Sequence, residues 1–331
     1  FNNGKINFYD NDKYLTAFRN TKIKILSSKN VDEIILKGSF LEDMIYINFK
    51  NKKIEQISSK IITAKLPGYK LTGKANLINS NSKDLRGDFS FKKEKNKLTG
   101  IYTFNQNNLI ISKANLANDF LEGELIGNLT FHPYFNFNLD VNLSGLNFNS
   151  LYNYLTSLDD VEKKNLFNLN KKLNGKINLS SEKIYSKFDL IDSFESQIQF
   201  VNGSIFIDRM LLNLGKLGAA DLNGIVKNSE KFSNFKFENN IFIDNQKYFY
   251  RKFGIFNKRD ISSNLFISGN FDLRNLRLLI DEISTENKMP QADIDFIQNE
   301  FNNMLLEDGY ASLLSFLKLK EFVKLVLMER N

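Results

Sequence analysis

The chain has no cysteine, no tryptophan, one histidine and only three prolines among its 331 residues. The absence of cysteine excludes disulfides, thiolate metal sites and cysteine nucleophiles within this sequence. Because His132 is the single histidine, catalytic triads and metal sites built on several histidines are excluded as well. His132 precedes Pro133, which restricts the backbone before it, so this pair predicts a structural turn.

Long apolar runs are also missing, since none approaches the roughly 20 residues that a membrane-spanning helix needs. The net charge is +7, but the basic residues are spread along the chain without interleaved aromatic clusters, which argues against a nucleic-acid partner. Asp159 and Asp160 fit a helix N-terminus better than paired catalytic carboxylates. The glycines at Gly215 and Gly218 form no phosphate-binding motif. We therefore expect no enzymatic activity, no cofactor and no metal.

Alternation of apolar and polar residues is the strongest pattern present, and residues 120–148 show it most clearly. The odd positions carry Leu121, Gly123, Leu125, Gly127, Leu129 and Phe131, then Phe135, Phe137, Leu139, Val141 and Leu143. Most of the even positions between them are Glu, Asn, Asp or Thr. Because successive side chains of a strand point to opposite faces, this pattern predicts two strands whose odd positions share one apolar face.

The rest of the chain repeats this pattern with two interruptions at helical spacing. We predict a mainly β fold: a long twisted antiparallel sheet curled into an open apolar groove, with an inserted helical hairpin and a helical C-terminal tail. The predicted divisions are residues 1–148 for the first part of the groove, 149–173 for the hairpin, 174–273 for the second part and 274–331 for the tail. Within the tail, Leu276, Leu279, Ile280 and Ile283 have helical spacing.

A sheet of this size needs something to cover its apolar face. About eighteen strands at roughly 4.8 Å each would extend over about 80 Å, and one helical hairpin before residue 272 cannot cover that. The sheet must therefore fold on itself, close, or leave an apolar groove for a ligand. The residues predicted to line the groove are Phe89, Phe91, Tyr102, Phe104, Leu121, Leu125, Leu129, Phe131, Phe135, Phe137, Leu139, Val141, Ile205 and Ile207.

Three segments carry a resemblance to a known family: residues 115–131 (NLANDFLEGELIGNLTF), the strands that follow Leu173, and residues 201–226 (VNGSIFIDRMLLNLGKLGAADLNGIV). The last has a strand, a turn ending in glycine, a strand, a small-residue turn and a further strand. In this rhythm the chain resembles the C-terminal portion of the AsmA-like proteins of Gram-negative bacteria, over about residues 30 to 275.

The resemblance implies a bridge-like lipid transfer protein, whose groove carries phospholipid or another acyl-chain lipid between the inner and outer membranes and supports outer-membrane biogenesis. It also implies a periplasmic location, with an inner-membrane anchor formed by an N-terminal helix that this sequence does not contain. Protein partners are not indicated. Two alternatives stay open, an outer-membrane β-barrel and a secreted structural β-protein whose apolar face is plain core.

Two further segments predict contact with a membrane or a cap on the sheet. Residues 247–259 are expected to form a solvated loop rich in basic and aromatic residues, with contact between its cations and lipid phosphates as the alternative. Residues 311–327 form a last helix in which Lys318, Lys320 and Lys324 interrupt the apolar positions, so we expect it to cap the sheet or to contact anionic headgroups without spanning a bilayer.

Overall fold

A computed structural model describes residues 2–10, 13–40, 43–54, 57–78, 85–105, 107–131, 134–159, 173–228, 233–256, 264–308 and 315–327. The predicted fold class is confirmed, because the chain is mainly β, with 63% of the described residues in strands. The strands are β1 Gly4–Asp10, β2 Lys13–Ser27, β3 Val31–Phe40, β4 Asp43–Ile54, β5 Ile57–Leu66, β6 Leu71–Ile78, β7 Leu85–Lys93, β8 Asn96–Asn105, β9 Asn108–Ala117, β10 Leu121–Thr130, β11 Asn136–Asn147, β12 Gly175–Ser181, β13 Ile184–Tyr185, β14 Ser193–Val201, β15 Ser204–Asn213, β16 Gly218–Asn228, β17 Ser233–Ile243, β18 Asn264–Asp272 and β19 Arg277–Ser284. The α-helices among the described residues are α1 Phe148–Ser157, α2 Gln246–Phe253, α3 Gln291–Asp308 and α4 Phe316–Leu327.

The chain divides into two compact units, Phe1–His132 and Pro133–Asn331, called unit 1 and unit 2 below. Unit 1 contains β1 to β10, and each strand pairs with the next in an antiparallel arrangement. Short connections join them, as expected for a meander of alternating strands. The predicted divisions of the chain and the predicted turn at His132 and Pro133 stay predictions, and both turn residues lie outside the described residues.

Unit 2 contains β11 to β19 and includes one parallel pairing. β11 runs parallel to β12 and to the short β13, and the remaining strands pair in antiparallel order from β12 and β14 through to β19. The pairings of β11 with β12 and β13 are therefore parallel exceptions in a structure that was predicted to be mainly antiparallel. β12 begins beside the start of β11, since Gly175 is paired with Phe137, and a strand that begins at that end runs parallel to β11.

Local signals in the sequence set the helix ends in unit 2. The Asn147 side chain accepts a hydrogen bond from the Ser150 N–H at 3.0 Å and caps α1, and Asn245 caps α2 through the Tyr248 N–H at 2.9 Å. Gly254 ends α2 in the left-handed conformation, at φ 67°. α1 occupies the position of the first arm of the predicted hairpin, whereas residues 160–172 of the second arm lie outside the described residues.

The segment with helical spacing after Leu276 is a strand, so its predicted helix is wrong. In β19, Leu278 and Ile280 are buried while Leu279 between them is 45% exposed. This is the two-residue period of a strand. A register shift opposite Ser268 and Gly269 then moves Ile283 to the buried face. The helical tail begins at Gln291.

Each unit has its own hydrophobic core. The core of unit 2 is the larger and joins the late strands to α2, α3 and α4, with Leu265, Ile283 and Ile297 almost completely buried. The core of unit 1 is a small cluster around Phe89, Tyr102 and Ala114 that lies along one face of the sheet. Unit 1 has no helix among its described residues.

Candidate functional site

Two rows of directly paired residues cross unit 1 from β2 to β10, and every member is apolar or glycine. Cross-strand partners share a face of a sheet, so each row is a continuous line on one surface. The first row is Ile25, Ile34, Phe49, Ile62, Ala75, Phe89, Gly100, Ala114 and Leu125. The second row is Ile23, Leu36, Ile47, Ala64, Gly73, Phe91, Leu98, Leu116 and Gly123. We call this surface the unit 1 apolar face.

Part of the unit 1 apolar face is open to solvent. Ile25 is 70% exposed, Ile34 is 39% exposed and Phe91 is 45% exposed. The buried cluster around Phe89 is built from residues of β6 to β10, and no helix among the described residues of unit 1 packs on it. An apolar strip that crosses nine strands and keeps large exposed side chains is characteristic of a surface that binds an apolar partner.

Aromatic rings lie over glycines on this face. Phe91 is paired with Gly73, and a Cβ on Gly73 would lie 2.8 Å from Phe91 Cε1. Phe89 is paired with Gly100, where a Cβ would lie 2.8 Å from Phe89 Cζ. The recurring glycine at an apolar position of β6, β7 and β8 therefore provides the space in which a neighbouring ring lies along the sheet.

The opposite face of unit 1 is polar and carries paired charges. Asn76 donates to the Asp88 carboxylate at 2.7 Å, and Asn48 donates to Glu33 at 2.7 Å. Lys113 lies 3.4 Å from Glu124. The two faces therefore differ in polarity as the alternation predicts, and water is the natural environment of only one of them.

Tyr102 is the one titratable group of the buried cluster in unit 1 among the described residues. Its hydroxyl group donates to the Asn76 carbonyl oxygen at 3.3 Å. Burial raises the pKa of the Tyr102 phenol above its usual value, and the negative charge of Asp88 raises it further. The phenol is therefore kept neutral, which suits an apolar surface.

Unit 2 has two rows of the same kind. The first is Phe137, Gly175, Phe200, Ile205, Val226, Phe235, Phe271 and Leu278, and the second is Leu139, Ile177, Ile198, Ile207, Gly224, Phe237, Gly269 and Ile280. Here the helices cover one end, because residues of β16 to β19 belong to a core shared with α2, α3 and α4. Residues at the other end, such as Ile177 and Ile198, are half-buried and do not belong to that core.

The predicted groove residues fall into two sets. Unit 1 carries Phe89, Phe91, Tyr102, Phe104, Leu121, Leu125, Leu129 and Phe131, and unit 2 carries Phe135, Phe137, Leu139, Val141, Ile205 and Ile207. Within unit 1, Phe104 pairs with Leu109, which in turn pairs with Leu129. The Phe131 ring lies 6.3 Å from that of Phe104. The predicted alternation also holds, since Gly123 and Phe137 are buried while Glu124 and Asn138 are exposed.

Of the eighteen residues in the two rows of the unit 1 apolar face, the predicted set contains only Phe89, Phe91 and Leu125. All eight of the row residues from β2 to β5 were missed, including Ile25, Ile34, Phe49 and Ile62. The same two-residue alternation of apolar and polar residues marks these strands in the sequence. The sequence does not show the strand register that aligns these residues with Phe89.

A basic and aromatic surface lies where α2 ends, in unit 2. Phe256 is 87% exposed two residues after Gly254. A Cβ on Gly254 would lie 3.3 Å from Lys320 Nζ and 3.5 Å from Lys324 Cε, so α4 brings two lysines to this point. The predicted loop over residues 247–259 is wrong in its first part, because residues 247–253 belong to α2, and Lys258 and Arg259 lie outside the described residues.

The other candidates for chemistry have structural roles or are not described. Gly215 and Gly218 flank a short 3-10 turn between β15 and β16, and a Cβ on Gly218 would collide with the Phe242 carbonyl oxygen. Asp160 lies outside the described residues. In the described part of the chain, no three His, Asp or Glu side chains are placed to hold a metal ion. None of the described helices is both long and apolar enough to cross a membrane.

Comparison with known proteins identified no relative: no family model, no curated protein and no solved structure matches this chain.

Proposed function

We propose that the unit 1 apolar face binds the acyl chains of a lipid, with phospholipid as the natural ligand. The observation that carries this proposal is the pair of uninterrupted apolar rows over nine strands, in a unit that has no helix of its own among its described residues. Hydrocarbon chains gain about 0.8 kcal/mol for each methylene group removed from water, so a long strip of this kind favours long chains.

The wider context is proposed from the sequence resemblance. We propose that the chain is part of an AsmA-like protein that carries phospholipid between the inner and outer membranes and supports outer-membrane biogenesis. In this proposal the protein lies in the periplasm, is anchored in the inner membrane by an N-terminal helix, and performs no catalysis. The mainly β fold and its one-sided polarity support the proposal.

Membrane contact is proposed for the basic and aromatic surface at the end of α2. An exposed aromatic ring beside several cations suits the interface of an anionic membrane, where the ring enters the headgroup layer and the cations meet phosphate. Phe256, Lys320 and Lys324 provide this combination. Arg251, a basic residue in the last turn of α2, adds a third cation near this point. Replacing Phe256 by Ser and Arg251 by Glu should weaken binding to vesicles of anionic phospholipid, whereas Lys227→Glu on an exposed position of β16 should not.

The lipid-binding proposal is tested with purified chain by native mass spectrometry and by titration with a fluorescent fatty acid. We expect bound phospholipid in the wild type and its loss in Ile34→Asp with Phe91→Asp. The matched control is Ile35→Asp with Ser90→Asp, which places the same charges on adjacent residues of the opposite face. Wild-type protein without lipid, or equal binding by both double variants, would refute the proposal.

The second candidate role for an apolar face is to form the hydrophobic core of the protein. One observation favours this role in part of unit 2. At the β16 to β19 end of unit 2, α2, α3 and α4 bury the rows, with Ile280 and Phe271 about 5% and 6% exposed. That end therefore has its own cover. Unit 1 has no helix of its own among its described residues to cover its open rows, and we therefore propose lipid binding there.

A further inference from the structure

The last strand of unit 2 has its outer edge covered by side chains rather than by another strand. Leu278 donates its N–H to the Asn302 side-chain oxygen at 2.7 Å, and the Asn302 side-chain amide donates to the Leu278 carbonyl oxygen at 2.9 Å. Ile280 donates its N–H to the Gln298 side-chain oxygen at 2.8 Å. Both amide residues belong to α3, which packs along β19.

The pair of bonds at Leu278 reproduces what a neighbouring strand would supply. In an antiparallel ladder, one residue exchanges both its N–H and its carbonyl group with the residue opposite. The Asn302 carboxamide has an NH2 donor group beside an acceptor oxygen, and each makes one hydrogen bond with Leu278. Asn302 therefore makes the hydrogen bonds of a neighbouring strand residue, although it belongs to a helix.

The spacing of the two amides matches the strand. Residues four apart on a helix lie on the same face about 6 Å apart along its axis. Alternate residues of a strand, whose N–H groups point to the same edge, are about 6.7 Å apart. Gln298 and Asn302 are four apart, and they contact Ile280 and Leu278, which are two apart. The rise between Gln298 and Asn302 along α3 therefore matches the distance between Ile280 and Leu278 along β19.

The chain also covers the remaining end of the edge. After β19 it turns back, Ser284 forms a bridge with Lys288, and the Met289 N–H donates to the Ile283 carbonyl oxygen at 2.9 Å. The Leu278 N–H and carbonyl groups, the Ile280 N–H and the Ile283 carbonyl oxygen therefore have partners within unit 2. An edge without such cover is a template on which another chain adds a strand.

We propose that Gln298 and Asn302 terminate the sheet of unit 2 and prevent β19 from pairing with β19 of a second copy of this chain. The second copy is the partner that fits, because one strand edge placed against itself by a two-fold axis gives an antiparallel pair whose hydrogen-bonding groups are self-complementary. In such a dimer the two apolar rows of unit 2 would continue from one copy into the other, since Leu278 and Ile280 are the last residues of these rows. This inference does not depend on lipid binding.

The test is the double variant Gln298→Leu with Asn302→Leu, which keeps side-chain bulk and removes the amides. We expect concentration-dependent dimers in sedimentation velocity and, in dilute monomer, roughly two- to tenfold faster hydrogen exchange at the Leu278 and Ile280 amides, as the loss of one hydrogen bond predicts. The control is Asn303→Leu, an exposed position of the same helix, and it should remain monomeric with unchanged exchange.

A single variant keeps the test decisive if the double variant does not fold. In Gln298→Leu, exchange should accelerate at Ile280 and stay unchanged at Leu278, because Asn302 still holds the latter. Equal acceleration at both amides would mean that α3 detaches as a whole and would overturn the residue-by-residue assignment. Unchanged protection in the variants, or equal dimerisation of the double variant and Asn303→Leu, would overturn the proposal itself.

Discussion

The ring of Phe91 lies against Gly73, the residue directly opposite it on the neighbouring strand, so that a Cβ on Gly73 would be 2.8 Å from the ring. The Phe89 ring, 5.8 Å from that of Phe91, is placed over Gly100 in the same way. Each glycine leaves a space and each ring fills it, so the large side chains of unit 1 lie along the sheet. The apolar side chains of unit 1 therefore cover a broad area of the sheet, whereas the buried core that they form is small.

Filling one of these spaces should destabilise unit 1. In Gly100→Val, the new Cβ would lie 2.6 Å from Ala114 Cβ and 2.7 Å from the Lys113 carbonyl oxygen, which is backbone and cannot rotate away. We expect a loss of about 1–3 kcal/mol in the free energy of unfolding, the usual cost of overpacking. Urea denaturation measures it. Thr99→Val on the opposite face is the control, and an equal loss there would contradict the argument.

The alternation in β11 can be checked with single cysteines, since the chain has none of its own. Asn138 is exposed and Phe137 is 6% exposed, so Asn138→Cys should react rapidly with a polar maleimide and Phe137→Cys slowly. Both should react at the same rate in denaturant. Similar rates in the native protein would show that the register is displaced by one residue, which exchanges the two faces.

The last helix should stabilise unit 2 through its C-terminal half. Leu327 is 2% exposed whereas Leu317 at the other end of α4 is 63% exposed. We expect Leu327→Ala to cost about 2–5 kcal/mol and Leu317→Ala far less, because only the first leaves a cavity. Thermal or urea unfolding of both variants measures the difference.

Removal of residues 312–331 extends this test to the role of the whole helix. A cap on the sheet predicts loss of stability or aggregation of the truncated chain, and the burial of Val326 and Leu327 in the core of unit 2 favours this outcome. A membrane-contacting helix predicts a folded truncated chain with weaker binding to anionic liposomes. If stability and binding were both unchanged, neither role would hold.

Alkaline pH should destabilise unit 1 through Tyr102. Burial raises the phenol pKa in the folded state, so the unfolded chain ionises first as the pH rises. Stability is therefore unaffected below the unfolded pKa of about 10 and falls as the pH rises from there through the higher folded pKa. In Tyr102→Phe the decline in the urea midpoint above pH 10 should be smaller than in the wild type. Tyr134→Phe, at a residue 77% exposed, should decline like the wild type.

The faces of individual strands were predictable from the sequence because they depend on local alternation alone. Gly123 and Phe137 were assigned to the apolar face from their odd positions, and both are buried there. The rows were not predictable, because the step from Phe89 to Ile62 or Ile34 depends on the register of each pair of strands. Register is set by turns and bulges, such as the shift between Ile101 and Tyr102, which composition does not reveal.

What the sequence determined by itself was the chemistry of the chain and the polarity of its strands: no cysteine, one histidine, and an alternation that permits only a one-sided sheet. The tertiary structure decided the secondary structure of a segment whose sequence is compatible with both a helix and a strand. Residues 276–283 fit a helix as well as a strand, and β18 on one side together with Gln298 and Asn302 on the other selects the strand. A short apolar run takes the conformation that satisfies its backbone hydrogen bonds, and those partners come from residues distant in the sequence.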